Sequence, residues 1–79
     1  MKQKKMVAEK ALGIFAKAAR NQAGFSKAEV ARQLGVTRGT IHQAEEYPEM
    51  SLTKLRIKII EKCSPKKITG PFYQIEPRT

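Results

Sequence analysis

Apolar residues recur at helical spacing along most of this chain, and the recurrence is broken by glycine, proline or a capping residue. Over residues 3–22, Val7, Ala11, Ile14 and Ala18 fall on one stripe with Phe15 beside them. Leu12, Ala8, Ala16 and Ala19 widen the apolar side and raise helix propensity. Asn21 to Gly24 close this helix, with Gly24 as a left-handed C-cap and Phe25 turning inward after it. Ser26-Lys27-Ala28-Glu29 then has the form of a capping box, in which the Ser26 hydroxyl and the Glu29 carboxylate each take a backbone N–H. The helix it opens is short, because Gly35 stops it at Leu34. Val30, Ala31 and Leu34 form its inner face, and Arg32 and Gln33 look outward.

Thr37 is suited to cap a third helix, whose interior holds only two apolar residues, Ile41 and Ala44. A stripe that narrow leaves most of the helix polar and outward. Pro48 disfavours helical geometry at Tyr47, so this helix ends near Glu46. Ser51 is expected to cap a fourth helix over residues 52–63, with Leu52, Leu55, Ile59 and Cys63 on one stripe, Ile60 at its edge and Ile57 off it. Pro65 bars continuation. In the remaining tail, Phe72, Tyr73 and Ile75 suit a short strand.

The middle of this pattern has the requirements of a helix-turn-helix. Two helices that cross closely need a small residue on the first, which Ala31 supplies. The turn needs a positive φ, which Gly35 supplies four positions later. Val36, Ile41 and Ala44 pin the second helix from inside. The outward side of that helix then faces something other than its own chain.

Charge says what that something is. The 79 residues carry 16 Lys+Arg against 7 Asp+Glu, a formal charge of +9, more than a small domain needs for solubility. Phosphate polyanions or anionic surfaces suit such a balance, and with this motif the expected partner is the major groove of double-stranded DNA. The size fits one domain with a modest core. Cys63 is the single cysteine, which excludes an internal disulfide, and no Cys/His cluster has zinc-ligand spacing. No apolar run approaches the roughly 20 residues of a membrane span. Glu9, Lys10 and Lys17 interrupt any signal-peptide core, so a cytoplasmic location is the expectation. No nucleophile has a base, no carboxylates are paired for catalysis and no glycine-rich phosphate loop occurs. An enzyme is therefore not expected, and neither is a cofactor, a metal or a small-molecule substrate.

The stretch SKAEVARQLGVTRGTIHQAEE resembles the helix-turn-helix of the phage repressor and Cro group of bacterial regulators, and YPEMSLTKLRIKIIEKC resembles the loop and helix that follow it there. The resemblance covers residues 12–63. It implies an all-α fold, a compact four- to five-helix domain over residues 1–64, with the motif at 26–46 and the recognition helix at 37–46. Residues 65–79 then form a short extended or β C-terminal tail. It also implies a homodimer that binds a palindromic operator and represses transcription.

Carried onto this sequence, the resemblance gives Thr37, Arg38, Gly39, His42 and Gln43 as the base-facing positions. Arg38 suits guanine and Gln43 adenine, each good bidentate pair worth roughly 1–3 kcal/mol of discrimination. Gly39, with no side chain, marks close approach of the backbone. Lys27 and Thr40 are expected at phosphates, flanked by Lys17, Arg20 and Lys54. Glu45 is expected to face away from DNA, and Glu46 has no evident role. Phe72, Tyr73 and Ile75 in the tail, with Ile57 and Ile60 as an adjoining patch, are the expected dimer contacts. The competing reading is a protein-interaction module, such as an antitoxin, whose tail adds a strand to a partner's sheet.

Overall fold

The computed structural model describes residues 5–6, 9–69 and 74–77, with side chains over 9–65. In chain order the elements are β1 (Lys5–Met6), a 3-10 turn (Glu9–Ala11), α1 (Leu12–Ala23), α2 (Lys27–Leu34), α3 (Arg38–Glu46), α4 (Thr53–Cys63), β2 (Lys66–Thr69) and β3 (Gln74–Pro77). The four helices enclose one core of Leu12, Ala16, Val30, Ala31, Ile41, Ala44, Ile59 and Ile60. Phe15, Phe25, Leu34, Val36, Leu52, Leu55, Ile57 and Cys63 pack around it. Each large aliphatic side chain so buried contributes roughly 1.5–3 kcal/mol.

The first helix starts later than its apolar pattern suggests, at Leu12 rather than residue 3. A start at residue 3 would set Lys4 and Lys5 in the first turn, against the positive end of the helix dipole. Lys5 and Met6 instead pair with β3. The buried side of α1 is also a different one. Leu12, Ala16 and Ala19 face inward, whereas Ile14 is 70% exposed and Ala18 lies on the surface. Both stripes have helical spacing. The inner one is selected by Gly13, where an added Cβ would sit 2.7 Å from the Ala44 carbonyl oxygen. Only that side of α1 lets α3 come so near.

The local signals at the motif hold. Gly24 ends α1 at φ 78°, and its N–H reaches the carbonyls of Arg20 and Asn21. The Ser26–Glu29 capping box forms in both directions, at 3.1 and 2.9 Å. The contact from Ser26 holds the Glu29 carboxyl below its ordinary range, first through the backbone N–H and then through the hydroxyl. Gly35 ends α2 at φ 72°. The Thr37 hydroxyl accepts the Thr40 N–H at 3.1 Å and so caps α3.

At α4 the cap differs from expectation. Leu52, not Ser51, is the N-cap residue, and it makes no side-chain capping bond. Leu52 turns toward the core, which delays helix entry by one residue, and the Thr53 hydroxyl donates to Glu9. Ile57 lies closer to the core than its place off the stripe suggests.

The tail is not a single extended strand. β2 and β3 are antiparallel, with Ile68 opposite Ile75, and β1 adds to the other side of β3, giving the order β1-β3-β2. The fold is therefore four helices with a small sheet. β3, which holds Ile75, pairs along one edge with β2 and, at Gln74 and Ile75, along the other with β1. Phe72 and Tyr73 lie outside the described residues.

Candidate nucleic-acid interface

The inner side of α3 is fastened by charge as well as by apolar contact. Ile41 and Ala44 are fully buried, and Glu45, the next residue, is only 5% exposed. Arg20 on α1 grips the Glu45 carboxylate with two bonds, Nε to Oε2 at 2.6 Å and Nη2 to Oε1 at 3.0 Å. Its third nitrogen donates to the Phe25 carbonyl at 2.9 Å. The bond to Glu45 raises the Arg20 pKa above its ordinary value. Arg20 is 7% exposed, so the expected phosphate contact is corrected: this guanidinium is a strut between α1 and α3. Glu45 faces inward, away from any surface partner.

A second guanidinium holds the end of the same helix. Arg56, 1% exposed, donates from Nε to the Ala44 carbonyl at 2.8 Å and from Nη2 to the Tyr47 carbonyl at 2.7 Å. It satisfies carbonyls at the negative end of the α3 dipole, where a cation is favoured. Sequence reading missed this residue, although Arg56 sits inside the apolar stripe, four after Leu52 and three before Ile59. A charged residue so placed is the signal for a buried partner. Among the described residues no buried side-chain nitrogen or oxygen lacks a partner.

The outer side of α3 is open. Thr37, Arg38, Gly39, Gln43 and Glu46 are exposed, and Thr40 and His42 are half-buried at its flanks. Gly39 lies near the middle of that side. A Cβ there would find nothing nearer than the Thr37 hydroxyl, at 3.9 Å, and its φ is not positive. Neither backbone geometry nor internal packing asks for glycine. In a helix interior glycine costs roughly 0.8–1 kcal/mol relative to alanine.

Two lysines frame this face. Lys17 on α1 donates to the Glu46 carboxylate at 2.8 Å, which gives Glu46 a partner within the fold. That contact is also the leading cause of the lowered Glu46 pKa. Lys27 at the start of α2 lies 2.8 Å from His42 Nδ1. His42 also meets the Tyr47 ring edge-on, with centroids 5.8 Å apart and planes at 85°. Thr40 shares a 2.8 Å hydroxyl contact with Thr37. Lys54 is exposed near the start of α4.

Two further expectations are settled by burial. Ile60 is 1% exposed and belongs to the core of its own domain, so it is withdrawn from the dimer contacts. Cys63 is half-buried, and burial pushes its thiol pKa up, away from the reactive thiolate. No described helix is long and apolar enough to cross a membrane.

Residues 11–46 match the model of a family described as a helix-turn-helix domain. The matched segment runs from the start of α1 to the end of α3, and so takes in both buried partners Arg20 and Glu45. This segment is therefore similar to a helix-turn-helix domain. The match does not single out the phage repressor and Cro group. No curated protein and no solved structure matches the chain.

Proposed function

We propose that the protein is a sequence-specific regulator that lays α3 in the major groove of double-stranded DNA. The observation that carries this reading is Gly39. It is a helix-weakening residue on the open side of α3, with room for a Cβ and no internal reason to lack one. A groove wall or a phosphate that approaches the backbone supplies the reason. Around it, exposed Arg38 and Gln43 have the donors and acceptors that read guanine and adenine, and Thr37 and His42 stand beside them.

Phosphate contacts are assigned to Lys27, Thr40, Lys17 and Lys54, which border the same face. Lys17 shares its charge with Glu46, so Lys54 and Lys27 carry more of the salt dependence. The regulator acts as a homodimer on a palindromic operator and represses by excluding polymerase. Two α3 helices then lie about 34 Å apart, one turn of DNA. Ile57 and the tail remain the proposed dimer contacts. The alternative reading is a partner-binding module, such as an antitoxin, whose tail adds a strand to another protein's sheet.

Binding selection from random duplex DNA, read at moderate salt, tests the proposal. A two-fold symmetric consensus with half-sites one turn apart is expected. Retention that is only salt-sensitive and carries no consensus would overturn sequence-specific regulation.

A further inference from the structure

The contact between Lys27 and His42 determines which hydrogen bond the histidine has to offer. An ammonium group has three donors and no acceptor, so at 2.8 Å from Lys27 Nζ the His42 Nδ1 must accept. The ring is then neutral, with its proton on Nε2. Its plane is fixed as well, by the edge-on Tyr47 ring at 5.8 Å. His42 lies one turn after Arg38 and one turn before Glu46, on the flank of the open side of α3. Both the donor and its direction are therefore set before any ligand arrives.

We infer that Lys27 is a positioning residue that makes His42 a single-donor reader of one base edge. The inference rests on the DNA reading above. In the major groove a lone N–H is accepted by guanine N7 or O6, adenine N7 or thymine O4, whereas cytosine presents only a donor. His42 thus selects against cytosine at its position, with guanine favoured because its two acceptors are adjacent. Lys27 keeps two N–H groups for a phosphate, so one residue couples backbone anchoring by α2 to base reading by α3. The α2–α3 register is what brings the two groups together.

The test has two readouts. Nitrogen-15 NMR of the imidazole in the free protein reports the tautomer without any DNA. The wild type and Lys27→Arg, which is also donor-only, are expected to show the Nε2–H form alone, and Lys27→Met a mixture. Binding selection with the same three proteins then reports base preference. Lys27→Met is expected to relax the exclusion of cytosine at one position per half-site by about tenfold, one good hydrogen bond, while Lys27→Arg retains it. A mixed tautomer in the wild type overturns the inference and leaves the DNA reading standing. A uniform loss of affinity in Lys27→Met, with every base preference intact, overturns the base-reading role and leaves Lys27 as a phosphate contact. Absence of any consensus in the wild type overturns the DNA reading, and the base-reading role with it.

Discussion

Gly13 on α1 and Ala44 on α3 meet backbone to backbone: a Cβ at residue 13 would stand 2.7 Å from the Ala44 carbonyl oxygen and 3.1 Å from that of Glu45. The atoms it would strike are main chain, so no side chain can swing aside. This contact sets how deeply α3 nests against α1, and therefore how far its outer side projects. Gly13→Ala should gain helix propensity yet lose roughly 1–3 kcal/mol of stability through overpacking. Denaturant unfolding of the variant checks this, and an unchanged midpoint would mean the helices adjust freely.

Gly39 should behave in the opposite way. With open space at its Cβ, Gly39→Ala should stabilise the fold by roughly 0.5–1 kcal/mol. The same methyl should weaken DNA binding, because it stands where a groove or phosphate comes closest. Thermal unfolding and duplex titration on one preparation give both signs. A stabilised variant with unchanged affinity would remove the main support for the proposed interface.

The buried Arg20–Glu45 pair makes a third test. Glu45→Ala strands a guanidinium that is 7% exposed and should cost roughly 3–5 kcal/mol. The double change Arg20→Met with Glu45→Leu removes both charges and should cost less than the two single changes added together, as a thermodynamic cycle of unfolding free energies would show. Strict additivity would mean that the two side chains act independently.

These residues also mark what the sequence could reveal. The turn of the motif was legible because its causes are local: a capping box at Ser26 and a positive-φ glycine at 35 act within four residues. The face of α1 was not, because Val7-Ala11-Ile14-Ala18 and Leu12-Ala16-Ala19 are both helical stripes, and the choice between them is made by α3 through Gly13. Arg20 read as a surface cation, and Arg56 went unread, for the same reason. Their partners, Glu45 and the carbonyls of Ala44 and Tyr47, are 25, 12 and 9 residues away in sequence and meet them only in the fold. The outward residues of α3 were legible because only Ile41 and Ala44 could be its buried stripe, although Glu45 joined them. β1 was hidden because two residues of strand depend entirely on their partner.

Acid should loosen the fold through Glu29 and Glu46. Both carboxyls sit below their ordinary 4.5 in the folded state, Glu29 through Ser26 and Glu46 through Lys17. A lowered folded pKa means stability that is present above 4.5 and lost as pH falls through the depressed value. Glu29→Gln and Glu46→Gln should each be less stable than wild type at neutral pH, with the gap closing below about pH 4.5. Urea unfolding across pH 7 to 3 measures it, and a gap independent of pH would contradict the assigned ion pair and cap.

The central claim, that the open side of α3 reads DNA, is tested most directly by Arg38→Ala combined with Gln43→Ala. Both side chains are exposed, so the fold should melt as wild type does. On the duplex chosen by wild-type selection, competed against a scrambled one, the double variant should lose most of its discrimination. It should keep its salt-dependent non-specific binding, since the lysines proposed for phosphate are untouched. Undiminished preference for the selected duplex would contradict the assignment of α3 as the reading helix.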